Sequence, residues 1–227
     1  VEPGAGFGEL VDAKRRAESG EPQALGVHLE DWRDGPPAGF YGDEGTIYTA
    51  KPGGGCLNET PCRYVLAGIS EVVPSHDGDD FRQRDEYPEG IQERIYHRDK
   101  NERLKVIEQA QCFAPELVAN SNPDAVNGPP IVGVVGGVPL VLGGNSRTMT
   151  LERVYDGHPE AAEAYRETLR REAGSFGFRP ENVDAIQRPI LIRLIEVPAD
   201  ASAQVLRDLV RRYNESLTQE MDPAAAM

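Results

Sequence analysis

The run LGGNSRT, residues 142–148, holds the densest set of groups that could do chemistry. An apolar stretch ends, Gly143 and Gly144 let the backbone turn tightly, and Asn145 or Ser146 can cap a helix. The first N–H groups of a helix lack intrahelical partners and carry the positive end of its dipole. Phosphate binds readily there. Arg147 adds a planar guanidinium suited to phosphate oxygens. Asn145, Ser146 and Thr148 offer short polar groups to a ligand or to Mg2+. The same letters also spell a tight turn, a capped helix and a solvated arginine. The run is not a P-loop, because G-x-x-x-x-G-K-[ST] occurs nowhere.

Two further clusters carry reactive residue types. Ser75, His76 and Asp77 are the types of a hydrolase triad, but adjacent side chains point apart and cannot form one. A turn after a strand explains them as well, and His76 is a candidate base or phosphate contact. In QERIYHRD, Arg94, His97 and Arg98 read either as cations facing phosphates or as a solvated basic patch. His28 and His158 sit in turn or cap contexts and take no role. The three cysteines, Cys56, Cys62 and Cys112, are odd in number, and C-x5-C is not a zinc spacing. Reduced thiols in a cytoplasmic protein are expected, and no residue spacing calls for zinc or haem.

The elements that must position these residues follow from pattern. Residues 63–69 read as a short strand closed by the turn-rich 72–77. Residues 79–100 are charged and read as irregular, and 101–111 as a helix with Leu104, Ile107 and Gln111 on one face and Val106 and Ala110 beside it. A loop over 121–130 leads to strands at 131–135 and 138–142, joined by the hairpin signal Gly136-Gly137. A helix follows through Tyr155, and Pro159 opens another, with Tyr165, Leu169 and Ala173 on one face and Gly174 and Gly177 at its end. RPILIRLIEV (188–197) is the strongest strand. Residues 201–217 form an amphipathic helix with Val205, Leu206, Leu209, Val210, Tyr213 and Leu217 on its apolar side. Strands and helices interleave without internal repeat. The fold class is therefore α/β or α+β around a mixed sheet.

Composition sets the outer bounds. The 227 residues suit one domain with an extension, or two small ones. Twelve of the 24 glycines fall in residues 1–55, so 1–60 reads as an irregular Gly/Pro-rich arm with one helix at 9–19. Trp32, Phe40 and Tyr41 could pack that arm on the main domain, 61–223, and partial disorder is the alternative. The net charge of −14 argues against a non-specific grip on duplex DNA. No apolar run approaches the roughly 20 residues of a membrane span. The N-terminus has no basic and apolar regions of a signal peptide, and it starts with Val, as a fragment would.

GGNSR after a Pro-Ile-Val hairpin resembles the second box of ParB-type domains, where G-E-R-R follows an apolar strand, and the G-G-C-H-R run of sulfiredoxins. Upstream, Gln92 and Arg94 fall on the Gln and Arg of the family's Q-P-R, with Glu93 for Pro, and Pro130-Ile131-Val132 falls on P-I-V. Downstream, Asn214 matches the third box, E-N-x-x-R, while Tyr213 and Leu217 replace its Glu and Arg. The pattern Y-P-x-x-x-Q-x-R, G-x-P-I-V, G-N-x-R-T from Tyr87 to Thr148 is most similar to the DdrB-like ParB-type domain of phages, plasmids and other mobile elements. The resemblance covers about residues 63–223 and gives the first 60 no reading.

That resemblance implies a compact ParB/sulfiredoxin-like domain that binds CTP or ATP with Mg2+, with slow NTP hydrolysis, in DNA maintenance or a mobile element. Gly143, Gly144, Asn145, Ser146, Arg147 and Thr148 would cradle phosphates, Gln92 and Arg94 would form the opposite wall, and Asn214 would reach phosphate or Mg2+. Arg147 and His76 are the catalytic candidates, His76 because the loop after the first strand borders the family's pocket. Asn145 stands where sulfiredoxins carry their cysteine, which excludes sulfinic-acid reduction through that residue. Cys112 is expected to be a buried small hydrophobe. A homodimer is the oligomer implied, with DNA met only indirectly or through segments outside this chain, and no membrane. Two alternatives stand: a protein–protein or regulatory module that keeps the fold without nucleotide, and a ParB-like nuclease, against which the net charge counts.

Overall fold

A computed structural model describes residues 39–51, 57–92, 94–198 and 200–215. The helix expected at 9–19, Trp32, His28, Cys56, Glu93 and Leu217 lie outside them. Five strands form one mixed sheet: β1 (Phe40–Ala50), β2 (Leu57–Gly68), β3 (Ile131–Val135), β4 (Val138–Gly143) and β5 (Pro189–Ile195), in the order β1-β2-β5-β3-β4. All neighbours are antiparallel except β3 and β5. The helices are α1 (Lys100–Gln111), α2 (Asn145–Gly157), α3 (Pro159–Glu172), the short α4 (Pro180–Asp184) and α5 (Ala203–Asn214).

Period-two alternation divides the sheet between two cores. Val132 and Val141 join the cluster built with Leu151 and Val154 of α2 and Tyr165 and Leu169 of α3. Their neighbours Ile131, Leu140 and Leu142 join Leu206, Val210 and Tyr213 of α5. The sheet is thus covered on both faces. The β3–β4 hairpin turns on Gly136 (φ 59°) and Gly137 (φ 89°), the positive-φ pair that its two-residue loop requires. Pro159 starts α3, and Tyr165, Leu169 and Ala173 are buried as the spacing predicts.

Three expectations change. The sheet begins at Phe40, inside the stretch read as an irregular arm. Buried Ile47 and Thr49 alternate along β1 with more exposed neighbours, and Gly42 lies so close to Phe176 that a Cβ would fall 2.0 Å from its carbonyl oxygen. In α1 the buried pair is Val106 and Ala110, while Leu104 is exposed. In α5 Val205 is exposed and the helix ends at Asn214.

Both sheet edges are closed by irregular backbone, which removes the templates that open edges present. Val73 exchanges hydrogen bonds with Pro139 and Val141 of β4, and Tyr48 of β1 does so with Pro123 and Ala125. Both segments also reach the β4–α2 junction, the turn through Ser75 and the 121–130 loop through Ala125 and Gly128.

Candidate functional site

β4 ends at Gly143, where a Cβ would fall 2.9 Å from Cβ of Tyr213. Gly144 then takes a left-handed conformation (φ 86°) as the N-cap of α2. No side chain caps this terminus, so its first-turn N–H groups are left for solvent or a ligand. Sequence reasoning expected Asn145 or Ser146 as the cap. Instead Asn145, 2% exposed, accepts a hydrogen bond from Ser75 N–H at 2.7 Å and donates to Val141 O at 3.0 Å. It fastens the 72–77 turn to the junction.

The terminus opens onto a cavity of about 360 Å3. One wall is the 121–130 loop, through Val126 and Asn127. Two arginines hold that loop. Arg193 of β5 is fully buried and spends all five N–H groups on the carbonyls of Pro129, Asn122, Asp124, Ala125 and Asn127. Arg147 folds back beside Gly144, where a Cβ would lie 2.7 Å from Nη2, and donates to Gly128 O and, at 3.1 Å, to Ala125 O. Neither guanidinium has a described carboxylate within ion-pair distance, although Asp124 supports the charge of both from farther away. Burial and the neighbouring Arg193 push the Arg147 pKa down to about 9. Such a pair favours a negative charge supplied from elsewhere.

The remaining lining is divided in character. Ser146 Oγ and Thr150 Oγ1 each donate to Gln109 Oε1 at 3.3 Å, joining α2 to α1. Phe113, Leu117 and Val118 make an apolar side. Asn214 lies across from α2, its Nδ2 donating to Val210 O at 2.6 Å, which leaves Oδ1 as the atom it can offer a cation. At the rim, Glu102 pairs with Lys105 and, at 3.8 Å, with Arg94.

Of the residues expected at a nucleotide site, Gly144, Asn145, Ser146, Arg147, Arg94 and Asn214 line this cavity. Gly143 stands behind it. Thr148 is fully buried, with its hydroxyl on Gly144 O at 3.2 Å, so it faces the interior of the helix turn. Gln92 lies outside the lining. His76 also lies outside, 3% exposed, with Nδ1 3.0 Å from Ser75 Oγ and Nε2 3.2 Å from His97 Nδ1. Burial, then the neighbouring His97, push its pKa down to about 4. Cys112, expected to be buried, is exposed and lines the cavity. It follows the last helical turn of α1, where the buried stripe ends at Ala110.

Sequence reasoning missed Arg193, Gln109 and Phe113. A lone arginine inside the most apolar strand was the signal for Arg193. Gln109 and Phe113 gave none, since their partners are distant in sequence.

A second polar cluster lies nearby with its charges paired, although Nε of Arg84 and of Arg188 is buried without a hydrogen-bond partner. Glu152 accepts from Arg84 at 2.7 Å and from Gly78 N–H at 2.9 Å, beside a hollow of about 40 Å3 lined also by Asp77, Asp156 and Arg188. Burial raises the Glu152 pKa to about 7, against the opposing pull of Arg84. Among the described residues no three of His, Cys, Asp or Glu are grouped to hold a metal ion, and no helix is long and apolar enough to cross a membrane.

The family model of the ddrB-like ParB superfamily domain matches residues 57–196, more than half of the chain and all but the first strand of the sheet. No curated protein and no solved structure matches the chain.

Proposed function

The chain belongs to the ddrB-like ParB superfamily, and on that premise we propose that its cavity binds a nucleotide, CTP or ATP, with Mg2+. The observation that carries the reading is the uncapped α2 terminus opening onto a cavity with cations on one side and an apolar wall on the other. Phosphates would sit at the N–H groups of Asn145, Ser146 and Arg147, where unpaired donors and helix dipole coincide. Arg147 would act through its charge and its remaining donors, since part of its fork already holds the loop. Phe113, Leu117 and Val118 suit a base. Mg2+ would arrive on the phosphates and meet Asn214 Oδ1 or Ser146 Oγ, as an ion that prefers oxygen and keeps several waters does.

Slow hydrolysis on this site would rest on positioning and electrostatics. Glu102 is the single carboxylate among the described lining residues, and Lys105 and Arg94 already engage it. His76 is walled off from the cavity, which leaves it no catalytic part in this reading. The setting is DNA maintenance or a mobile element, in the cytoplasm.

A second reading, a partner-binding module without nucleotide, draws on the side chains of Asn145 and Arg147, both of which have structural work inside the protein.

Ser146→Asp separates these readings. An acidic side chain in the first turn favours the helix dipole by about 0.3–1 kcal/mol, yet it repels phosphate. We expect an unchanged or slightly higher melting temperature and at least tenfold weaker CTP or ATP binding by calorimetry. Nucleotide binding that survives this substitution would rule out the α2 terminus as the phosphate site.

A further inference from the structure

The cavity does not end at its rim. A shallower hollow of about 580 Å3 adjoins it, sharing Arg94 and Glu102 and running past Ile95, Arg98 and Lys100. Residues 94–105 hold Arg94, Arg98, Lys100, Arg103 and Lys105 against Asp99 and Glu102, a net positive stretch in a chain of net charge −14. Both acids are occupied. Asp99 caps α1, accepting from the N–H groups of Asn101 and Glu102, and Glu102 holds Lys105 and Arg94. Arg98 and Lys100 are exposed, with no described carboxylate within ion-pair distance. Elsewhere Arg84, Arg153, Arg166, Arg170 and Arg188 all pair with carboxylates. Other cations without a described carboxylate partner, such as Arg63, Arg179, Arg207 and Arg212, line neither hollow, whereas Arg98 and Lys100 stand beside the cavity mouth and prolong its positive side outward.

We infer that the occupant of the cavity is the terminal nucleotide of a single strand of nucleic acid, whose following phosphates lie on the ledge of Arg94, Arg98 and Lys100. This rests on the nucleotide reading of the cavity and adds the chain that follows. Single strands are held by cations along the backbone together with a surface against which a base can stack. Phe113 supplies that surface inside the cavity and the ledge supplies the cations outside it. A free mononucleotide would leave Arg98 and Lys100 without a partner. A duplex end keeps its bases paired and stacked, so its last nucleotide could enter only at an unpairing cost. The acidic remainder of the chain disfavours a long polyanion wrapped over the surface, which leaves an end-on mode.

Fluorescence anisotropy with a 5′-phosphorylated oligothymidylate, its blunt duplex and the matching mononucleotide tests this in the full chain. The strand should bind at least tenfold tighter than the mononucleotide and than the duplex. Three phosphate contacts imply a fall of roughly twenty-fold between about 50 and 200 mM salt. The double variant Arg98→Glu, Lys100→Glu should lose at least tenfold in strand affinity and keep the mononucleotide affinity and melting temperature of the wild type. Equal affinities for strand and mononucleotide, equal affinities for strand and duplex, or a variant that binds the strand as well as wild type, would overturn the ledge and leave the cavity reading standing. A wild-type chain that binds neither the strand nor CTP or ATP would overturn both.

Discussion

Two arginine-rich regions flank the β4–α2 junction, and they treat charge differently. Around Glu152, Arg84 and Arg188 meet Glu152 and Asp156 at ion-pair distance, enclosing a hollow of about 40 Å3, with room for little more than water. Around the cavity, Arg147 and Arg193 meet only carbonyl oxygens, and the space beside them is about nine times larger. A closed network has spent its charge on the fold. An open one keeps charge in reserve, and buried guanidinium groups without carboxylates gain from an anion brought in from outside. The contrast is why we propose the junction side, and not the Ser75–His76–Asp77 side, as the binding side of this protein.

The largest effect should come from removing the cation that shapes the cavity wall. Arg193→Met keeps the volume of the side chain but strips the carbonyls of Asn122, Asn127 and Pro129 of their donor, while Asp124 O and Ala125 O keep the Asn127 N–H and Arg147. Each buried group left unsatisfied costs about 1–3 kcal/mol, so a loss of at least about 3 kcal/mol is expected in urea unfolding. An unfolding midpoint close to wild type would show that the loop does not depend on this arginine.

The turn outside the cavity, where His76 lies against Ser75 and His97, should respond to mildly acid pH. His76 has a folded pKa of about 4 against 6.5 unfolded. The unfolded chain therefore binds the proton more tightly. The contribution of a neutral His76 is fully present above pH 6.5 and is lost as the pH falls from 6.5 to 4. By linkage the loss amounts to about 2–3 kcal/mol, His76 being almost wholly buried. His76→Gln lacks this dependence, so its stability deficit at pH 8 should narrow by that amount at pH 4. A deficit that stays constant across the range would mean that the ring is not held neutral by its surroundings.

A smaller effect is expected at Gly144. Alanine there adopts φ 86° at a cost of about 1–2 kcal/mol and pushes on the Arg147 guanidinium. Gly144→Ala should therefore weaken nucleotide binding more than an equally destabilising change in the Glu152 cluster. Equal effects of the two on binding would erase the distinction between the regions.

Much of this arrangement was legible in the sequence. The Gly136-Gly137 hairpin, the strand over 188–197 and the glycine pair before α2 all rest on short-range rules, and all appear in the fold. β1 was hidden because its buried residues, Gly42, Ile47 and Thr49, include a glycine and a threonine and are too few to show an apolar period. The α1 face was misread because Val106 and Ala110 are smaller than Leu104, which draws the eye as the larger apolar side chain while lying outside. At the site, the spacing marked where α2 begins but not what its side chains do. Asn145 reads as a cap until Ser75, seventy residues earlier, is brought against it. Arg147 reads as solvated until the 121–130 loop arrives to accept its donors. Both depend on contacts that local periodicity does not encode.

The central claim, that the α2 terminus holds the phosphates of a nucleotide, is met most directly by a thermal-shift panel of CTP, ATP, GTP, UTP and ADP, each with and without Mg2+. A ligand at a hundred times its Kd stabilises by about 2.7 kcal/mol. The account predicts a rise of several degrees, strongest for CTP or ATP with Mg2+ and abolished in Ser146→Asp. A melting temperature unmoved by every nucleotide would contradict it and would leave the GGNSR run as a turn and a helix start.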